Sequence, residues 1–218
     1  MSGPSSVEIR ERLGQSYALD RLWRETMGLP PGDTKEQPLR AVISVLEASG
    51  TAYAVIGGIA VQLRSREPQT TLDVDVAVRR FADIPRDALI QAGFVHEGRH
   101  PHRDNWRAPG SGPRTQRTAI QFSAEDVGIE AAIAQARSVD VGGFTLRVAT
   151  PADLIVLKLA AAEEPTRRAS KRRQDLLDVI TLAEEYAEAA GVSADLRSRV
   201  ERLSAQLLTL GRERAPER

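Results

Sequence analysis

The chain has 218 residues, of which 41% are hydrophobic and 28% are charged, and its 30 basic side chains balance its 30 acidic ones. This composition is typical of a globular protein of one or two domains. A net charge of zero excludes an overall positive electrostatic field that would attract nucleic acid. Because there is no cysteine and no long apolar run, we exclude disulfides and thiolate metal sites and expect a cytoplasmic protein without a membrane span.

Residues 1–34 predict an N-terminal helical extension. Within it, residues 5–28 predict an amphipathic helix, and Pro30-Pro31-Gly32-Asp33 then breaks the pattern. The apolar face of this helix would contain Val7, Leu13, Leu19, Leu22 and Trp23. Two interpretations stay open, because such a helix can pack on its own chain or dock on a partner.

The central stretch of the sequence lies at residues 53–78. A helix at residues 38–48 precedes a short buried strand at 53–56, which Gly57 and Gly58 interrupt. A helix at residues 59–66 and a strand at residues 71–78 follow. Side chains alternate along a strand, so Asp73 and Asp75 should share one face of it, opposite the valines.

This arrangement favours nucleotide chemistry. A helix that begins beside Gly57 and Gly58 offers backbone N–H groups and a positive dipole end to a phosphate, and glycine allows close approach. Asp73 and Asp75 could share a Mg²⁺ ion with phosphate oxygens. The alternative is a tight turn beside two solvated aspartates, although two ionised carboxylates on one strand face repel unless a cation lies there.

Further elements are predicted between this stretch and residue 148. They are a helix at 84–92, a strand at 94–97, a strand at 118–123, a helix at 127–136 and a hairpin at 139–148. The segment after residue 97 is predicted to be a polar loop, and His96, His100 and His102 lie in this loop or next to it. These histidines could hold zinc. A second interpretation is a loop near the substrate, in which Arg99, Arg103 or Arg107 neutralises phosphate. The third is that these arginines are simply solvated.

The C-terminal third predicts helices. Thr150-Pro151 is typical of a helix start, and the helix that follows is apolar nearly all round yet contains Lys158. A buried ammonium needs a partner or a task, unless it extends along the helix to the surface. A second helix begins at Lys171 and places Asp175 and Asp178 on one face, and residues 195–211 predict a closing helix.

Gly57-Gly58, fourteen residues, and Asp73-Val74-Asp75 together resemble the signature of the polymerase-β-like nucleotidyltransferases. The resemblance implies that Asp73 and Asp75 bind Mg²⁺ and that Gly57 and Gly58 hold the phosphates of an NTP. It also implies a third carboxylate on the strand at 118–123. The residue at that position is Gln121, which is neither a base nor a good Mg²⁺ ligand, and Glu125 and Asp126 lie just beyond.

Two later motifs resemble the AbiE-type (AbiEii-like) toxin nucleotidyltransferases. They are Thr150-Pro-Ala-Asp-Leu-Ile-Val-Leu-Lys-Leu159 and Lys171-Arg-Arg-Gln-Asp-Leu-Leu-Asp178. The resemblance, which covers roughly residues 39–185, implies that Lys158 contacts the nucleotide phosphates and that Asp175 is required for activity. It further implies an RNA acceptor of the tRNA-like kind and a cognate antitoxin protein.

We therefore predict an α/β (α+β) fold, in which residues 35–150 form a polymerase-β-like core with a small mixed sheet and residues 151–218 form a helical C-terminal part. The predicted function is Mg²⁺-dependent transfer of a nucleotide from an NTP to an acceptor, as the toxin of a toxin–antitoxin pair. Two alternatives stay open: a degenerate protein that binds nucleotide or a partner without catalysis, and an antitoxin that modifies its toxin.

Overall fold

The computed structural model describes residues 6–29, 34–65, 71, 73–110, 112–141, 143–186 and 194–209. These residues divide into two compact units, one up to Thr150 and the other from Pro151 onward. The predictions that concern Pro30-Pro31-Gly32-Asp33, Leu72 and the last residues of the chain lie outside the described residues.

The first unit is built on one mixed sheet, which confirms the predicted α/β class. Its seven described strands lie in the order β3-β4-β5-β2-β1-β7-β6. They are β1 (Tyr53–Ile56), β2 (Asp73–Val78), β3 (Val95–His100), β4 (Arg103–Arg107), β5 (Ala119–Ser123), β6 (Arg137–Asp140) and β7 (Thr145–Val148). The two strands that carry the central motif, β1 and β2, thus lie in the interior of the sheet rather than at an edge.

The register fixes which side chains are neighbours across the sheet. β2 is antiparallel to β1 and parallel to β5, so Asp75 has Ile56 on one side and Gln121 on the other. Val74, Val76 and Val78 are fully buried on the opposite face of β2. Burial of these branched side chains therefore determines which way the two aspartates point.

Five helices accompany the sheet among the described residues of this unit. They are α1 (Ser6–Thr26), α2 (Glu36–Ala48), α3 (Gly57–Arg64), α4 (Arg86–Gln91) and α5 (Ile129–Gln135). α3 begins at Gly57 itself rather than at residue 59, because Ile56 is still extended and Gly57 turns the chain directly into the helix with φ of +66°. The glycines therefore form the first turn of α3 instead of a separate connection.

The predicted apolar face of α1 is wrong in part. Val7 and Leu22 are exposed by 56% and 58%, whereas Leu13 is buried together with Ile9 and Tyr17. The buried face continues into two charged residues, Asp20 and Arg24, which form an ion pair with 3.3 Å between Oδ1 and Nε. Apolar periodicity cannot find a face whose second half is ionic.

The loop predicted after residue 97 is also wrong, because the chain forms the antiparallel hairpin of β3 and β4. On β4, Asp104 and Trp106 are buried with 0% and 1% exposure. The Asp104 carboxylate is stabilised there by an ion pair with Arg86 of α4 and by His96 Nε2 at 2.8 Å. A buried aspartate interrupts the apolar alternation, so the strand is not visible in the sequence pattern.

The second unit contains the predicted helices α6 (Pro151–Glu163), α7 (Ala169–Tyr186) and α8 (Ala194–Thr209). Leu154 and Leu159 of α6 and Val179 and Leu182 of α7 are buried. An ion pair of 2.6 Å joins Glu163 at the end of α6 to Arg199 of α8. None of the helices in the described ranges is long and apolar enough to cross a membrane.

Candidate active site

Gly57 and Asp75 make the closest approach in the central motif. A Cβ placed on Gly57 would lie 2.0 Å from Asp75 Oδ2, and Gly57 also has a positive φ of +66°. Both features exclude any other residue without local rearrangement, because L side chains rarely adopt this conformation. The missing side chain of Gly57 thus leaves room for the Asp75 carboxylate at the N-terminus of α3.

Gly58 makes a second close approach, toward the residue that leads into β2. Its absent Cβ would lie 2.7 Å from the Cβ of Thr71. The Thr71 carbonyl in turn accepts a hydrogen bond of 2.8 Å from the Nζ of Lys35. Both glycines are therefore required for the packing between the first turn of α3 and the start of the aspartate strand.

Lys35 belongs to a buried polar network with Asp20 and Arg24 of α1. Its side chain is 0% exposed, and its backbone N–H donates to Asp20 Oδ2 at 2.8 Å. Burial lowers the pKa of the Lys35 ammonium to about 8, although Asp20 partly offsets this effect. Sequence reasoning missed this network, and the one available signal was that lysine occurs only three times in the chain.

Asp73, Asp75 and Gln121 lie on one face of neighbouring parallel strands. Gln121 is the direct partner of Asp75 in the register, and its Nε2 donates to Asp73 Oδ2 at 3.3 Å. The structure thus brings Gly57, Gly58, Asp73 and Asp75 together, with Gln121 beside the two carboxylates. All of these are residues that the sequence singled out.

The hydrogen bonds of Gln121 fix the orientation of its amide. Arg103 Nη1 donates to Gln121 Oε1 at 2.7 Å, and a guanidinium has no acceptor atom. The amide oxygen must therefore face Arg103, which directs the amide N–H₂ toward the carboxylate of Asp73. A neutral amide is not a base, and in this orientation its N–H₂ rather than its oxygen faces the carboxylate of Asp73.

The side chains present fit a Mg²⁺ ion that is bound together with a substrate. Mg²⁺ in phosphate-transferring sites is held by one or two carboxylates, with phosphate oxygens and water as its other ligands. Asp73 and Asp75 supply that number on one strand face, and both are only partly buried. Within the part of the chain that the structure describes, no group of three or more acidic or histidine side chains could hold a metal ion.

Two of the three histidines, His96 and His102, each contact an aspartate. His96 Nε2 contacts Asp104 and its ring lies 4.8 Å from that of Trp106, while His102 Nδ1 lies 2.9 Å from Asp126 Oδ1. His96 and His100 are on β3, and His102 is in the turn that follows. These contacts give His96 and His102 carboxylate partners on different elements, β4 and the segment after β5.

Lys158 and Asp175 meet within the second unit. Lys158 Nζ lies 3.0 Å from Asp175 Oδ1 and 2.6 Å from Asp178 Oδ2, and the two aspartates are 4% and 2% exposed. Arg167 Nε approaches Asp175 Oδ2 at 2.9 Å without hydrogen-bond alignment, so this contact is an ion pair only. Desolvation lowers the pKa of Lys158, but Asp178 and Asp175 outweigh it, and the net pKa is raised.

Comparison with solved structures finds distant resemblances. An antigenic nucleotidyltransferase-like protein from Paracoccidioides brasiliensis is 17% identical with a TM-score of 0.49, and the match covers 82% of this chain and 92% of that one. The antibiotic-resistance factor ANT(2'')-Ia in complex with adenylyl-2''-tobramycin is 12% identical with a TM-score of 0.47, covering 79% and 96%. Its solution structure gives 12% and 0.46, covering 80% and 91%.

No family model matches the chain, and no curated protein matches it significantly. None of these three resemblances reaches an identity or a TM-score from which a function can be transferred. What the chain does is therefore inferred from its own side chains.

Proposed function

We propose that the first unit is the catalytic core of a nucleotidyltransferase, which transfers a nucleotide from an NTP to an acceptor with Mg²⁺. The observation that carries the proposal is the packing of Asp75 against Gly57. It places Asp75 directly beside the N-terminus of a helix, with Asp73 two residues away on the same strand face. One element would bind phosphate and the other would bind the cation that accompanies phosphate.

Each residue of the site has a separate role in this proposal. The first backbone N–H groups of α3 have no partners within the helix, and the N-cap residue Ile56 makes no side-chain cap, so these groups can donate to the oxygens of a triphosphate. Asp73 and Asp75 would hold Mg²⁺, which when bound polarises the α-phosphate and neutralises developing charge. Lys35 and Thr71 hold the start of β2 in place, and Gln121 orients Asp73 through its amide N–H₂.

Binding and transfer can be tested separately on Asp75→Asn and Asp73→Asn. Both changes keep the size of the side chain and remove the charge that holds a cation. We expect both variants to lose transfer of label from an α-labelled NTP, with a melting temperature within a few degrees of wild type. The matched control is Asp87→Asn, which removes an exposed carboxylate from the first turn of α4. Wild-type transfer in both site variants would contradict the assignment.

The finer features of the proposal come from the resemblance to the AbiE-type toxins. They are an RNA acceptor, a toxic role with a cognate antitoxin, and requirements for Lys158 and Asp175. In the described residues, Lys158 already has two carboxylate partners in its own unit, which gives it a structural role as well. Induced expression of wild type and of Asp75→Asn tests the toxic role, because growth arrest by the wild type alone is the expected result.

A second candidate function is nucleotide binding without turnover. The observation that favours it is Gln121, whose amide lies where a third carboxylate would complete the acidic group. A protein of this kind would bind an NTP through Asp73 and Asp75 but would release no pyrophosphate in the presence of any acceptor. Equilibrium binding of a fluorescent NTP, measured beside pyrophosphate release, separates the two functions.

A further inference from the structure

The face of the sheet around Asp73 and Asp75 contains no other acidic side chain on the neighbouring described strands β5 and β4. Across these strands, the residues that alternate onto this face are Ala119, Gln121, Ser123, Arg103, Asn105 and Arg107. Gln121 lies directly beside Asp75, and its amide oxygen is already held by Arg103. On these described strands, a hydroxyl nucleophile beside Gln121 would therefore find an amide and a guanidinium, but no carboxylate other than the two aspartates of β2 to take its proton.

The two carboxylates that follow β5 do not fill this gap. Glu125 and Asp126 lie four and five residues beyond Gln121, in the bend that follows the end of β5 at Ser123. Glu125 has left-handed backbone with φ of 64° and contacts Arg99 at 3.9 Å, and Asp126 contacts His102. Both side chains therefore have basic neighbours on the β3–β4 hairpin.

Arg103 differs from the other arginines of this hairpin. Arg99 pairs with Glu125, and Arg107 pairs with Glu97 at 2.8 Å between Nε and Oε2. Among the described residues, Arg103 donates to the neutral oxygen of Gln121, and its side chain is partly exposed. A guanidinium that is bonded to a neutral acceptor keeps its charge available, and guanidinium groups bind carboxylates and phosphates well.

We propose that the acceptor attacks through an oxyanion that is already ionised at neutral pH, a carboxylate or a phosphate monoester, and that Arg103 binds this anion. The inference rests on the proposed nucleotidyltransferase function and specifies its acceptor. Carboxylates ionise at about pH 4 and phosphate monoesters lose their second proton at about pH 6, so neither acceptor requires a base to remove a proton at neutral pH. Gln121 and Arg103 then suit the reaction, whereas a carboxylate at position 121 would repel such an acceptor.

The proposed reaction exchanges one P–O bond for another. An oxyanion oxygen of the acceptor attacks the α-phosphorus of the NTP and forms a new P–O bond. The bond from the α-phosphorus to the oxygen that bridges to the β-phosphate breaks, and pyrophosphate leaves with that electron pair. A hydroxyl acceptor would also release a proton, whereas the oxyanion releases none. The product is an anhydride: an acyl phosphate from a carboxylate, or a phosphoanhydride from a phosphate monoester.

The chemistry of the product tests the proposal whatever the acceptor is. The full chain is incubated with each α-labelled NTP, MgCl₂, and the small-molecule or RNA fraction of a cell extract. Each labelled product is then treated with neutral hydroxylamine, which cleaves acyl phosphates, or with a pyrophosphohydrolase, which cleaves phosphoanhydrides. Cleavage by one reagent is the expected result and identifies the source of the anion. A labelled ester that survives both reagents overturns this inference but leaves the nucleotidyltransferase function standing.

Equilibrium binding of a fluorescent NTP distinguishes the remaining outcomes. If the wild type binds the NTP no better than Asp75→Asn and forms no product, the proposed function itself fails. If the wild type binds the NTP and no fraction yields a labelled product, the protein is a binder without turnover, and both proposals of transfer are overturned.

Variants at Arg103 test its role with the acceptor found in this way. For Arg103→Gln we expect the acceptor KM to rise by about tenfold or more, with NTP affinity and kcat within a few-fold of wild type. Arg103→Lys keeps the charge and should recover part of the loss. Arg79→Gln is the matched control, because Arg79 is 53% exposed and pairs with an exposed Glu130. An acceptor KM for Arg103→Gln equal to that of the control would overturn the role of Arg103.

The complementary variant is Gln121→Glu, which places a carboxylate beside Asp75. We expect it to use the oxyanion acceptor less well than wild type, because the two negative charges repel. We also expect it to gain transfer to a hydroxyl probe, glycerol, because the new carboxylate can accept the proton. Unchanged use of the oxyanion acceptor by this variant would contradict the proposed position of the acceptor.

Discussion

Replacement of Lys35 with methionine tests whether a buried ammonium supports the start of the aspartate strand. Lys35 is 0% exposed, donates to the Thr71 carbonyl at 2.8 Å, and lies beside the Asp20–Arg24 ion pair. Methionine keeps most of the stem but removes the charge and the donor. We expect the effect of this change on stability to depend on pH, because burial lowers the pKa of Lys35 in the folded state only.

The sign follows from the direction of the shift. The folded pKa of Lys35 is about 8 and the unfolded value is 10.5, so between these values the unfolded chain binds more protons than the folded one. Stability from this group therefore rises with pH across that window and is constant below it. The difference between the two pKa values corresponds to about 3 kcal/mol, most of which is gained between about pH 7 and about pH 10.

Urea unfolding followed by tryptophan fluorescence measures this quantity. Both tryptophans of the chain, Trp23 and Trp106, lie in the first unit, so the signal reports the unit that contains Lys35. The quantity of interest is the free energy of unfolding of wild type minus that of Lys35→Met at several pH values. Burial also raises the pKa values of Tyr17 and Tyr53, but both proteins share these phenols and the difference removes them.

Lys171→Met provides the control, since Lys171 is exposed and lies in the second unit. We expect its stability to follow the wild-type pH profile. Parallel profiles for wild type and Lys35→Met would refute the reasoning, because they would show that Lys35 titrates alike in the folded and unfolded states. A difference that decreases toward high pH would show the opposite pH dependence and would also refute the reasoning.

Three further predictions concern the glycine turn, the third acidic position and the second unit. Gly57→Ala should abolish transfer, because its Cβ would meet Asp75 Oδ2 at 2.0 Å. The control is Gly14→Ala, whose added Cβ would meet no atom within 4 Å. This control should keep activity and stabilise the chain by up to about 1 kcal/mol in thermal unfolding. Gln121→Asp should tighten Mn²⁺ binding measured by electron paramagnetic resonance, since it adds a third carboxylate, and unchanged affinity would contradict the position given to residue 121. Lys158→Met should lower the free energy of unfolding by about 3–5 kcal/mol, because it removes the cation that pairs with the buried Asp178 and leaves Asp175 with Arg167 alone among the described cations. Transfer measured on the same folded sample tests the contact with phosphates, and unchanged stability would contradict the structural role.

The sequence predicted the central motif well because its signals are local. Gly57 and Gly58 follow an apolar strand, and the alternation in β2 places Asp73 and Asp75 on one face whatever the rest of the chain does. Gln121 was singled out only by the resemblance, as the residue at the third acidic position, and the register places it beside Asp75. The roles of these residues in nucleotide transfer stay predictions.

The hairpin of β3 and β4 and the buried face of α1 could not be predicted in the same way. In the hairpin, Arg86 neutralises the buried Asp104 from 18 positions away. In α1, Arg24 pairs with the buried Asp20 within the helix, and the backbone N–H of Lys35, 15 positions away, donates to the same carboxylate. A pattern that scores each charge as exposed assigns such segments to loops or to the wrong helix face. Arg103, which the sequence offered only as one arginine among three, gains its significance from the partners of the other two.

Lys35 and Lys158 show why residue type alone does not decide the role of a buried charge. Both lysines are largely buried, yet the pKa of Lys35 is lowered by desolvation while two carboxylates raise that of Lys158. Lys158 has Asp175 and Asp178 within 3.0 Å, so its charge is fully compensated within its own unit. The ammonium of Lys35 donates instead to a neutral carbonyl, that of Thr71, whose side chain packs on Gly58. The lysine with the lowered pKa is thus the one that contacts the entry to the aspartate strand, where a small change in position would reach the carboxylates directly.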